Sequence, residues 1–139
     1  MRVVIDTNVL IAGLRSATGA SFQVLQRLGS QAFTPCVSVP LILEYEAVAK
    51  RQSRELGLSF GEIDDVLDYI CSIAEPHSIF YLWRPFLADP RDDLVLELAV
   101  EAAATCIVTH NLRDFAGIEK FGLDAISPGA FLRRIEALS

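Results

Sequence analysis

The 139-residue sequence predicts a three-layer α/β/α sandwich around a central parallel sheet of four or five strands. Three observations carry that expectation. Short β-branched runs alternate with longer stretches of helical periodicity along nearly the whole chain. The β-rich runs are apolar throughout, as in strands covered on both faces, and do not alternate apolar with polar. The length suits one domain, here 1–139, and an apolar fraction of 52% with mean hydropathy +0.38 is ample for a core without staples.

Taken in order, RVVID is the first strand, with Val3, Val4 and Ile5 suited to a sheet interior. ASFQVLQRLGS follows with Phe22, Leu25 and Leu28 at helical spacing. AFTPCVS reads as the second strand. Ser38 and Pro40 then open a helix over VPLILEYEAVAKRQ, Ser38 as cap and Pro40 in the first turn. SFGEIDDVLDYICSIA is a further helix, with Ser59 and Glu62 in capping-box spacing. SIFYL is short and β-like. WRPFLADPRDD is a long proline-containing connection, DDLVLELAVEAAA a helix and TCIVT a strand. SPGAFLRRIEAL closes as a helix capped by Ser127, with Pro128 in its first turn.

Composition narrows the function. A net charge of −6 argues against a protein that coats nucleic acid generally. Ten of the twelve cations are arginine, the better bidentate phosphate ligand, with Lys50 and Lys120 the two lysines. Cys36, Cys71 and Cys106 are odd in number, widely spaced and each beside apolar neighbours, so they read as reduced core residues of a cytoplasmic protein and not as a disulfide framework or a zinc site. No apolar run reaches the roughly 18 residues of a membrane span. Asp6 and Asn8 interrupt any signal-peptide core, so no secretory signal is expected.

Asp6 is the residue that most needs explaining. It sits between Val3-Val4-Ile5 and Val9-Leu10-Ile11, where an ionised carboxylate is costly unless it is paired, hydrogen-bonded or metal-bound. It closes the first strand, and in open parallel sheets ligands bind beyond the carboxyl ends of the strands. Asp114 follows the strand TCIVT by one short turn. Asp92 and Asp93 open the helix leading into that strand, and Glu44 lies early in the helix after the second strand. In a parallel sheet all of these segments can reach one edge, where the acids are expected to converge. Carboxylates gathered there repel one another unless a divalent cation neutralises them, and hard oxygen donors suit Mg²⁺ or Mn²⁺. Singly, each acid also has a plainer reading as a helix cap, a turn residue or a solvated position. Glu44 and Glu46 flank opposite margins of one apolar stripe, so periodicity does not choose between them.

Four segments together resemble the PIN domain, of the kind found as VapC-like ribonuclease toxins of bacterial toxin–antitoxin pairs: VVIDTNVLIAGL, SVPLILEYEAVAKR, DPRDDLVLELAVEAAATCIVT and THNLRDF, in the family's order over residues 2 to 115. The resemblance implies a metal-dependent endoribonuclease that cleaves single-stranded RNA with Asp6, Glu44, Asp93 and Asp114 as catalytic and metal-binding acids. It favours Glu44 through its spacing from Ser38, and Asp93 as the head of D-L-V-L-E-L-A with Asp92 and Asp89 as flanks. It also implies that Asn8, Thr109 and Asn111 orient the carboxylates, and that a cognate antitoxin and a homodimer are to be expected. Glu97, at i+4 from Asp93, is a candidate auxiliary acid or else part of a solvated stripe with Glu101.

Such chemistry needs no covalent nucleophile, which suits a site with no Ser/His or Cys/His pair nearby; of the two histidines, His77 and His110, His110 neighbours the expected site and reads as a loop histidine. Substrate grip falls to arginines such as Arg15, Arg51, Arg54, Arg84, Arg91 and Arg113. Two other functions compete. One is a non-catalytic PIN-like interaction module. The other is a Mg-dependent phosphohydrolase working through an aspartyl phosphate, which needs a second acid where this chain has Asn8 and a suitably placed lysine. No Gly-rich nucleotide-binding loop is present.

Overall fold

A computed structural model describes residues 1–79 and 86–138. Among them five strands form one parallel sheet: β1 (Arg2–Ile5), β2 (Thr34–Val37), β3 (Glu75–Pro76), β4 (Cys106–Val108) and β5 (Asp124–Ile126). Their order is β3-β2-β1-β4-β5, so β1 is central. Val3 pairs with Cys106 on one side and Pro35 on the other. Successive side chains of a strand point to opposite faces. Val3, Val4 and Ile5 are nonetheless all buried, so both faces of β1 are covered by helices.

The helices are α1 (Thr7–Arg15), α2 (Ala20–Gln26), α3 (Val39–Arg51), α4 (Ser53–Leu56), α5 (Phe60–Ile73), α6 (Pro90–Glu101) and α7 (Pro128–Ala137). α1 packs on α2 and α3, α2 on α7, α3 on α5, and α6 against β1, β2 and β4. Their starts follow the capping chemistry written in the sequence. Ser38 accepts from the Leu41 amide, Ser127 from the Ala130 amide, and Ser59 forms a reciprocal box with Glu62.

Two segments differ from the sequence reading. Val9-Leu10-Ile11, given no element there, belongs to a helix, because the chain turns at Asp6 and α1 starts at Thr7. The edge strand β3 comes before SIFYL: Ser78 and Ile79 are irregular, and the rest of that run, Phe80 to Leu82, lies outside the described residues. Among the described residues no helix is long and apolar enough to cross a membrane.

Candidate metal and phosphodiester site

Asp6 resolves its own paradox by standing at a junction. Its amide donates to the Val108 carbonyl, extending the β1–β4 ladder by one residue, and its carbonyl accepts from the Val9 amide to begin α1. The side chain is 6% exposed and fully engaged. Oδ1 accepts from the Thr7 amide at 2.8 Å. Oδ2 accepts from the Thr109 hydroxyl at 2.8 Å and the Asn8 amide at 3.2 Å. Thr109 in turn accepts from the Asn111 amide at 3.0 Å, and Asn8 Oδ1 accepts from the His110 amide at 3.2 Å. Asn8 and Thr109 thus touch the carboxylate directly, while Asn111 acts on it through Thr109.

A cavity of about 400 Å³ opens over this junction at the carboxyl ends of β1 and β4. Of the five carboxylates that line it, four come from four separate parts of the chain: Asp6, Glu44 of α3, Asp92 of α6, and Asp114 of the 3₁₀ turn Leu112–Phe115. Glu44 accepts from the Thr7 hydroxyl at 3.1 Å. Its rival Glu46 instead pairs with Lys50 at 3.1 Å. Asp89, which caps α6, also borders the cavity, but it is engaged by the Arg91 guanidinium at 3.0 Å.

Asp93 was expected among these acids and does not line the cavity; Asp92 takes that place. Neighbouring helical positions lie about 100° apart, so only one of the pair can face the opening. Asp93 points inward, 1% exposed, and its Oδ1 accepts from the amides of Leu87 at 2.8 Å and Phe86 at 3.3 Å. It fastens the segment that leads into α6. Glu97 is likewise buried and absent from the lining, so it is neither a pocket acid nor part of a solvated stripe.

Three of the expected arginines, Arg15, Arg51 and Arg91, border the cavity; Arg54 and Arg113 do not, and Arg84 lies outside the described residues. Arg15 donates to Gln52 across the α1–α3 rim. His110 meets Ser21 of α2 at 2.6 Å and stands outside the lining.

Two of these carboxyls, Asp6 and Asp92, are held above the ordinary carboxylate range by burial and by neighbouring acids. Burial, outweighing the hydrogen bonds from Thr109 and Thr7, raises the Asp6 carboxyl, and the charges of Glu44 and Asp114 push the same way. Burial, then the charges of Asp6, Asp114 and Asp89, pushes Asp92 up to about 7. Neither lysine lines the cavity, nor does any cysteine or histidine. An all-oxygen, partly desolvated donor set of this kind fits a hard divalent cation such as Mg²⁺ or Mn²⁺ and fits softer metals poorly.

Comparison with known proteins identifies the family and the fold. A family model described as the PIN domain matches residues 2–113. Among solved structures, VapBC2 from Rickettsia felis, bound to a DNA fragment from its promoter, superposes with a TM-score of 0.62. That match has 14% sequence identity over 91% of this chain and 98% of the other, which establishes likeness of fold. No curated protein matches the sequence.

Proposed function

Because the chain belongs to the PIN-domain family, we propose that it is a metal-dependent endoribonuclease that hydrolyses phosphodiester bonds of single-stranded RNA. The observation that carries this reading is the convergence of Asp6, Glu44, Asp92 and Asp114 on one open cavity. These four would hold Mg²⁺ or Mn²⁺. Bound there, the cation would polarise the attacking water and offset the negative charge that builds on the phosphate.

The protein's own contribution is position. Asp6 is held in one orientation by three donors, and Glu44 is tied to the Thr7 hydroxyl beside it. Carboxylates with fixed orientation do not reorganise as charge develops, which is where preorganised electrostatics acts on a transition state. In hydrolysis the water oxygen ends on phosphorus and the leaving sugar oxygen takes a proton. The carboxylates are the groups available to accept the proton that the water gives up. No serine–histidine or cysteine–histidine nucleophile is required. The aspartyl-phosphate alternative gains no support, since its second acid is Asn8, a hydrogen-bond donor to Asp6, and neither Lys50 nor Lys120 reaches the cavity.

We further propose that the protein acts in the cytoplasm as the toxin of a toxin–antitoxin pair, with a protein antitoxin, and that it forms a homodimer. Support for the pair comes from likeness of fold to a protein solved as VapBC2. Support for a protein interface comes from exposed apolar residues such as Val39 and Leu43 on α3. The decisive experiment is cleavage of defined single-stranded RNAs in Mg²⁺ or Mn²⁺ by wild type and Asp6→Asn. The variant keeps nearly the same shape and is expected to lose at least about two orders of magnitude in rate. Undiminished cleavage by Asp6→Asn, or cleavage by wild type in EDTA, would reject the reading.

A further inference from the structure

Away from the carboxylate cavity, the edge of the sheet gathers three metal-binding side chains of a different kind. Cys36 of β2 stands directly opposite Glu75 of β3 in the parallel ladder. His77, two residues beyond Glu75, shares its face, and its amide continues the ladder to the Val37 carbonyl at 2.8 Å. Cys36 Sγ, a Glu75 carboxylate oxygen and a His77 ring nitrogen all lie within 4.8 Å of one another. None of the three borders the carboxylate cavity.

We propose that Cys36, Glu75 and His77 form a second cation site, one for a borderline metal of the zinc class, which clamps the edge strand β3 to β2. One sulfur, one nitrogen and one oxygen donor make a three-protein-ligand set of the type Zn²⁺ accepts, leaving a fourth tetrahedral position for solvent. The contrast with the all-carboxylate cavity is chemical: that site selects hard cations, this one a softer one.

Without metal, the acid of the trio is held by its neighbours. Glu75 Oε1 meets Arg2 Nε and His77 Nε2, each at 2.7 Å. Metal entry at that oxygen would displace Arg2, whose side chain is half exposed and returns to water at small cost, since exposed ion pairs contribute little. It must also take the Cys36 proton. Burial, reinforced by Glu75, pushes that thiol up to about 11, so at neutral pH it is not a reactive thiolate on its own. On binding, an S–M bond replaces the S–H bond and the proton passes to solvent. The imidazole binds through a ring nitrogen that carries no proton, and no oxidation or reduction is involved.

The test uses Co²⁺ as a spectroscopic stand-in for Zn²⁺, titrated into the reduced full-length protein. A thiolate-to-cobalt charge-transfer band in the near ultraviolet is expected, saturable with added Co²⁺ and abolished by added Zn²⁺. The carboxylate cavity holds no sulfur and gives no such band, so the outcome is independent of the nuclease reading. Asp6→Asn should keep the band, and so should Cys71→Ser, which removes the exposed thiol. Cys36→Ser should abolish it. His77→Gln should weaken Co²⁺ binding at least about tenfold, the lower end of what even outer-sphere partners contribute. No band in wild type, a band that survives in Cys36→Ser, or a band lost in Cys71→Ser would each overturn the proposal. The wild-type titration and His77→Gln decide the matter even where Cys36→Ser fails to fold.

Discussion

Asp92 and Asp93 are adjacent, have the same side chain and lie in the first turn of the same helix, yet their surroundings separate them completely. Asp92 faces three other acids across a cavity, while Asp93 accepts two backbone amides in the interior. Replacing each by asparagine therefore tests the assignment cleanly. Asp92→Asn removes a charge from the proposed cation site and is expected to lower RNA cleavage by at least about two orders of magnitude. Asp93→Asn keeps an oxygen for the Leu87 amide and is expected to stay within about tenfold of wild type, less than the loss of one such electrostatic contact. Comparing cleavage rates of the two purified variants settles which carboxylate belongs to the chemistry. The reverse ranking would restore Asp93.

The same residue sets a pH dependence. In metal-free protein Asp92 keeps its proton up to about 7, whereas in the unfolded chain it releases it near the ordinary 3.8. Between those values the folded state binds more protons, so stability falls as pH rises and levels off above about 7. Asp6, also raised, adds in the same direction. Glu62, Glu75 and Asp89 are held low chiefly by hydrogen bonds from Ser59, Arg2 and Arg91. They act oppositely, gaining stability with pH, but their effect is complete by the ordinary carboxylate range. Melting in EDTA should therefore show a lower Tm at about pH 8 than at about pH 5, with a shallower fall in Asp92→Asn. Saturating Mn²⁺ should remove most of the fall, because it binds the ionised carboxylates of the native state. A Tm that rises over this window in EDTA would contradict the environment assigned to Asp92.

At the scale of elements, the α1–α2 corner shows how close packing overrides local propensity. Gly13 lies mid-helix in α1, where alanine is ordinarily better by about 1 kcal/mol. A Cβ there would sit 2.4 Å from Leu25 Cδ1, 2.8 Å from Leu25 Cγ and 3.1 Å from the Ser21 carbonyl oxygen. The Leu25 Cγ clash cannot be cleared by moving a chain tip alone, and overpacking of this kind costs about 1–3 kcal/mol. Gly13→Ala should therefore be net destabilising by about 1 kcal/mol in urea denaturation, and a stabilised variant would refute the close approach. Elements with strong local chemistry were legible beforehand: Ser38, Ser59 and Ser127 marked helix starts that the structure keeps. α1 was not, because Val9-Leu10-Ile11 after a polar triplet carries no periodicity that separates helix from strand. β3 was not either, since two residues ending in Pro76 leave no strand signal. The convergence of acids on one sheet edge followed from topology. The phase of α6 did not, for that helix is buried almost all round and no apolar stripe tells Asp92 from Asp93.

For the whole molecule, the puzzle is how a chain of net charge −6 would hold a polyanion. Its cations are not spread as a basic face. Arg15, Arg51 and Arg91, from three different helices, border the cavity that holds the four acids, with Arg15 braced by Gln52 and Arg91 by Asp89. Guanidinium groups fixed this way can each take one phosphate, while the remaining acidic surface repels the strand beyond them. Binding should then be local and only moderately sensitive to salt. For single-stranded RNA the slope of log K against log salt is about −0.7 per phosphate neutralised, so three contacts give about −2. Measured by fluorescence anisotropy on Asp6→Asn, at fixed low Mg²⁺ and varied NaCl, the slope should lie near that value. Arg15→Ala, Arg51→Ala and Arg91→Ala should each bring it about 0.7 closer to zero, and Arg133→Ala, on α7 and outside the cavity lining, should leave it unchanged. A slope several times steeper, or one indifferent to the three cavity arginines, would place the RNA on a different surface.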